Sequence, residues 1–219
     1  MRVADWMMAE LKRSGVERVF LVPGGGAMFL NDSLAQSGIE WIEMFGEQSC
    51  GIAAEAHARV TGKLGVAMVT CGPGATNIIT AITGAWIDSI PLLVIAGQVK
   101  KVDLKGFANV RQRGVQEVDS LSMVRNITKH SARVDGPLHA TYALRTAIKE
   151  AMTPRCGPVW IEVPLDVQGM EAVPEPEKMV ECVMKDGTRV GSLSGKADWN
   201  GVISYRELKE FRPKTTNHE

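Results

Sequence analysis

The sequence is most informative first by what it lacks. It has no excess of either charge: 25 Lys and Arg balance 25 Asp and Glu, for a formal net charge of zero. A neutral chain offers no basic field to draw in nucleic acid or an anionic membrane. Cysteine is sparse. Cys50, Cys71, Cys156 and Cys182 stand far apart with no CxxC pair. That excludes metal-ligand spacing and argues against a disulfide scaffold, so the expectation is reduced thiols in a cytosolic (cytoplasmic) protein. No long apolar run is present either. The most apolar stretch, "AITGAWIDSIPLLVIAG", is short and interrupted by Asp88 and Pro91, which argues against a membrane span. The N-terminal "MRVADWMMAELKRSG" is amphipathic, with Asp5, Glu10 and Lys12, and lacks the apolar core of a signal peptide. GxSxG and GK[ST] are both missing. The four histidines, His57, His130, His139 and His218, show no pairing at metal spacing.

What is there is alternation. Helix-like stretches ("ADWMMAELKRS", "AMFLNDSLAQS", "QSCGIAAEAHARVTG", "IITAITGAWIDS", "LHATYALRTAIKEAM") alternate with short apolar runs ("RVFLV", "IEWIEMF", "GVAMVTC", "PLLVIAG", "GPVWIEVP"). Gly15 reads as the residue that closes the first helix. A polar loop over 98–118, a short helix near 119–125 and a strand near 128–134 complete the pattern. Strands that alternate with helices of ten or more residues predict βαβ crossovers. The expected fold class is α/β: a three-layer α/β/α arrangement around a mostly parallel sheet. The nearly all-apolar strands fit a sheet covered on both faces. Three parts follow: a domain over 1–171, a linker over 172–178 around "AVPEPEK", and a 179–219 tail. In that tail "KDGTRVG" and "ADWNGV" read as tight turns between short strands.

In a parallel sheet, ligand sites gather at the C-terminal ends of the strands. Four unusual segments are expected on that rim: "PGGG" after the first strand, Glu47, "CGPGATN", and the loop after "VIAGQ". Gly24 and Gly25 lie in a βα turn where backbone amides can approach a ligand. The GxGxxG spacing from Gly24 fails, however, at Phe29, and a plain tight turn explains the glycines equally well. Pro73 fixes a sharp turn between Gly72 and Gly74, with Asn77 presenting a neutral amide, or else Thr76 or Asn77 caps a helix. Glu47 opens a helix of small residues. It is either a carboxylate complementing the helix dipole or, buried at a central seam, a group suited to sharing a proton with a ligand nitrogen. Glu55 and His57, further along that helix, are expected on a solvated or interface face.

The ordered set "GEQSCGIAAEAHARVTGKLGVAMVTCGPGATN", "DSIPLLVIAGQV", "VQEVD", "ITKH" and "GPVWIEVPLDVQ" resembles one family. It is similar to the N-terminal pyrimidine-binding domain of thiamine-diphosphate-dependent enzymes, in the acetolactate synthase-like branch. The resemblance runs over roughly residues 1–170. It implies that Glu47 is the catalytic glutamate, hydrogen-bonded to the pyrimidine nitrogen so that the aminopyrimidine can act as a base on the thiazolium carbon. It implies further that Pro73 and Asn77 lie near the pyrimidine and that Gln116 faces the substrate side. Gly24 and Gly25 would approach the cofactor held with a partner subunit. A homodimer or larger even oligomer acting on 2-keto acids follows from the same resemblance, whether by carboligation or by decarboxylation. It leaves open whether FAD accompanies thiamine diphosphate.

Two departures stand out. The loop between "GQV" and "VQE" is about six residues longer than in biosynthetic acetolactate synthases, and Val115 stands where those enzymes usually have Phe. The family's GDG…N motif for Mg2+ and diphosphate has no counterpart in "KDGTRVG". The expectation is therefore half of an enzyme, a split or truncated subunit completed by a diphosphate-binding subunit. The alternatives are a non-catalytic assembly or regulatory module that retains the fold, and a nucleotide-binding α/β domain using "PGGG".

Overall fold

The structure is a computed structural model. It describes residues 1–106 and 109–173, and the backbone of 180–183, 189–193 and 212–213. Its elements run α1 (Val3–Arg13), β1 (Arg18–Leu21), α2 (Met28–Ser37), β2 (Glu40–Glu43), α3 (Glu47–Thr61), β3 (Gly65–Val69), α4 (Pro73–Asn77), α5 (Ile79–Asp88), β4 (Leu92–Gln98), α6 (Ser120–Val124), β5 (His130–Arg133), α7 (Pro137–Met152), β6 (Val159–Pro164) and α8 (Leu165–Gly169).

Local chemistry sets the first helix. The Arg2 backbone N–H donates to Asp5 Oδ2 at 2.8 Å, closing the first turn of α1. Val3, Met7 and Leu11 recur at helical spacing and are buried. Gly15, at φ +85°, ends the helix in the left-handed conformation expected of it.

The six strands form one parallel sheet in the order β2-β1-β3-β4-β6-β5. Strand alternation splits the core into two layers. Val19, Leu21, Val66, Met68, Leu93, Ile95 and Ile161 face α1, α2, α7 and α8. Phe20, Ala67, Val69, Val94, Ala96 and Trp160 face the residues of α3, α4, α5 and α6. This is the expected α/β/α sandwich. Burial of each large apolar side chain at these positions contributes about 1.5–3 kcal/mol.

Two elements sharpen the sequence reading. β2 is an edge strand, with Glu40, Trp41 and Glu43 exposed; edge strands carry charge where inner strands cannot. "GPGATN" is not a simple turn. Gly72 takes φ +64°, and Pro73 starts the single-turn helix α4, because proline is preorganised for the first helical position.

The chain divides into two units, Met1–Ala172 and Val173–Glu219. In the second, β7 (Val180–Val183) pairs antiparallel with both β8 (Arg189–Leu193) and β9 (Arg212–Pro213). Residues 174–178 of the expected linker, residues 185–188 of the "KDGTRVG" turn and all of "ADWNGV" lie outside the described residues.

Candidate active site

The four expected segments follow the C-terminal ends of four adjacent strands, β2, β1, β3 and β4. From β1 the chain goes to β2 on one side, and from β3 to β4 on the other. The reversal between β1 and β3 is a topological switch point, where open α/β sheets bind ligands.

Glu47 is the first residue of α3, following Gly46 in extended conformation. The helix-start reading and the chemical reading therefore describe the same position. Asn77, the last residue of α4, donates its Nδ2–H to Glu47 Oε2 at 3.0 Å. Glu47 is half-buried and Asn77 is exposed. That corrects the expectation of a buried carboxylate: the seam is central along the sheet but lies on the rim above the core. Thr76 donates its hydroxyl to the Pro73 carbonyl at 3.3 Å, so neither Thr76 nor Asn77 caps the start of a helix. Pro73 is exposed at the base of the same turn.

Thr70, which follows β3, links this turn to "PGGG". Its Oγ1 accepts the Gly26 N–H at 3.0 Å. A methyl added at Gly24 would fall 2.5 Å from Thr70 Cβ, and one added at Gly74 would fall 2.6 Å from Thr70 Cγ2. Gly25, by contrast, opens outward with nothing within 4 Å of such a methyl. Two side-chain amides tie down the turn's carbonyls: Asn31 donates to Gly24 O at 3.3 Å, and Gln168 to Gly26 O at 2.8 Å. Sequence reasoning missed Thr70. Its only signal was its place between an apolar strand and a glycine-proline turn.

Gln116 is brought to the opposite wall of that turn. It adopts φ +60°, rare for a side-chain-bearing residue, and its carbonyl oxygen would lie 2.4 Å from a methyl at Gly72. The expected residues Glu47, Pro73, Asn77, Gln116, Gly24 and Gly25 thus belong to the four connections that follow β2, β3, β4 and β1 on one rim.

Beneath the rim, Glu162 of β6 is fully buried. It accepts Gln98 Nε2–H at 2.9 Å, Ser120 Oγ–H and Arg133 Nε–H, so its charge is met on every side. Burial pushes the Cys50 thiol, one turn after Glu47, up to about 12, and pushes Cys71 up as well. Neither is a thiolate nucleophile at neutral pH. Glu55 is buried and paired with Arg59, which removes the solvated alternative of the expected solvated or interface face. His57 lines a separate groove of about 500 Å3 with Phe20, Val60, Arg18 and Glu40; none of the site residues contributes to it. Among the described residues no cluster of three His, Cys, Asp or Glu side chains could hold a metal ion. No described helix is long and apolar enough to cross a membrane.

A half-buried carboxylate paired with an amide thus stands at the switch point of a doubly wound parallel sheet. The chain belongs to the family described as thiamine pyrophosphate enzyme, N-terminal TPP binding domain, whose profile matches residues 1–123. It is 39% identical to the acetolactate synthase isozyme 2 large subunit of Escherichia coli strain K12 over 168 residues, which are 77% of this chain and 30% of that one. It is 36% identical over 185 residues to the probable acetolactate synthase large subunit of Methanocaldococcus jannaschii, covering 82% of this chain and 30% of that protein. Over 172 residues it is 35% identical to chloroplastic acetolactate synthase 1 of Oryza sativa subsp. japonica, with 78% and 26% covered. The chain thus spans less than a third of the length of these relatives.

Proposed function

We propose that this chain is the pyrimidine-binding half of a thiamine-diphosphate-dependent enzyme acting on 2-keto acids, by acetolactate synthase-like carboligation or by decarboxylation. The observation that carries this reading is the Glu47–Asn77 pair, 3.0 Å apart on the rim. When bound, thiamine diphosphate would supply a cationic thiazolium ring, the electron sink that the chain's side chains lack. The Glu47 carboxyl holds and shares a proton at the pyrimidine edge. Asn77 fixes the carboxyl's orientation through Oε2 and leaves Oε1 for the ligand. Pro73 and the glycine turns give a surface close enough for a flat ring to lie against, and Gln116 contributes an amide on the substrate side.

The residues present fit the pyrimidine end of the cofactor. The diphosphate and its Mg2+ call for oxygen ligands, and no cluster of three His, Cys, Asp or Glu that could hold a metal ion stands among the described residues; a second, diphosphate-binding domain or subunit would supply them. The partner surface is a second copy of the chain, in a homodimer or a larger even oligomer.

Isothermal titration of the chain alone with thiamine diphosphate and Mg2+ should give weak heats, because phosphate and metal contacts dominate the binding of an anionic cofactor. Saturable micromolar binding would overturn the incomplete-site part of the reading. With the C-terminal remainder of a related synthase supplied in trans, turnover of pyruvate should appear and fall at least about 100-fold in Glu47→Gln. Unchanged turnover in that variant would remove Glu47 from the chemistry.

A further inference from the structure

The connection from β4 to α6 carries Gln116 near its end. One carboxylate organises it. Glu117 Oε1 accepts the Lys105 N–H at 2.6 Å, and its Oε2 accepts the Arg113 N–H at 2.7 Å and the Gly114 N–H at 3.2 Å. Its own N–H donates to the Gly114 carbonyl at 3.2 Å. Three backbone donors, from three to twelve residues away in the chain, converge on a single side chain. An ionised carboxylate suits this task, having about four lone-pair sites and no proton to place. Partial burial works against its charge, but the N–H groups of Arg113, Lys105 and Gly114 outweigh that and hold the carboxyl below its usual range.

The far side of Gln116 is fixed as well. Gln98 Nε2 donates to the Val118 carbonyl at 3.1 Å and to buried Glu162 at 2.9 Å. Gln116 therefore lies between a knot of backbone donors and a clamp rooted in the sheet. Its left-handed backbone places its carbonyl against Gly72, in the turn that leads into Asn77. Left-handed conformation in a non-glycine residue persists only where its surroundings impose it.

We propose that Glu117 is a positioning residue for the substrate side of the site: its carboxylate ties the backbone of Lys105, Arg113 and Gly114 together and thereby holds Gln116 left-handed against Gly72. The proposal rests on the reading of Gln116 as substrate-facing, but its geometry can be measured without cofactor.

The test is nuclear magnetic resonance on the full isotopically labelled chain, comparing wild type with Glu117→Gln and Glu117→Asp. In wild type, the Gln116 backbone carbon shifts should report a left-handed residue. In Glu117→Gln they should move toward extended values. Amide exchange at Lys105, Arg113 and Gly114 should rise about ten-fold or more, with Val94 and Ile161 in the sheet unchanged. Glu117→Asp keeps the charge on a shorter arm and should fall between the two. Trypsin should cut after Lys105, Arg111 and Arg113 faster in Glu117→Gln by a similar factor. Unmoved Gln116 shifts in that variant would overturn the proposal. So would equal loss of protection in loop and sheet, the mark of a merely structural residue. Failure here leaves the Glu47 reading standing. Failure of the Glu47→Gln turnover test would leave the loop geometry intact but without a substrate to face.

Discussion

Asp5 shows how a single carboxylate can join two helices. It accepts the Arg2 N–H at 2.8 Å and the Arg2 Nη2–H at 2.7 Å, and Ser33 of α2 donates its hydroxyl at 2.6 Å. The Arg2 guanidinium, against a smaller opposing effect of burial and with help from Ser33, holds the Asp5 carboxyl well below the usual carboxylate range. The folded state thus binds this proton more weakly than the unfolded chain. The stabilisation is complete above about pH 4 and is lost as the pH falls further. Urea midpoints should therefore separate wild type from Asp5→Asn at neutral pH, and the gap should shrink toward about pH 3. A gap that does not change with pH would mean that the charge of Asp5 contributes nothing. Asp32, which also binds Arg2 and is likewise depressed, titrates in the same direction in both proteins.

At the scale of elements, α3 packs through small residues. Cys50, Gly51, Ala54 and Ala58 form its buried face, set against the layer of Phe20, Ala67 and Val69. Close-packed interiors give little room for extra volume. Ala54→Leu should cost about 1–3 kcal/mol in urea unfolding, whereas Ala56→Leu, on an exposed position of the same helix, should cost less than about 0.5 kcal/mol. This helix was legible in the sequence because its small residues recur at helical spacing, and the inner strands were legible as apolar runs. β2 was legible as a strand in "IEWIEMF", but its edge position was not, because only the sheet order reveals it. α4 was hidden because a helix of five residues has no periodicity. The candidate site residues were singled out only as an ordered set of motifs. Glu47 alone was ambiguous, and the side-chain contacts of Thr70 and Glu117 were not legible, because Thr70 meets turns distant in the chain and Glu117 gathers backbone donors that no sequence pattern marks.

For the whole molecule, the two helices beside the site expose apolar side chains. Ile52 and Val60 of α3 are 48% and 86% exposed, and Trp86 and Ile87 of α5 are 40% and 65% exposed. Phe45, just before α3, is fully exposed. Such surfaces favour association. The mass measured by light scattering should rise with concentration toward roughly twice that of one chain. Ile52→Lys combined with Ile87→Lys should return it to that of one chain. A strict monomer at high concentration in the wild type would refute this. Thr70 has a consequence of another kind. It touches both glycine turns with no spare room, so the two behave as one mechanical part. A push delivered at "PGGG" is passed through a single side chain to the turn that bears Asn77, and evolution can retune one turn only by retuning both.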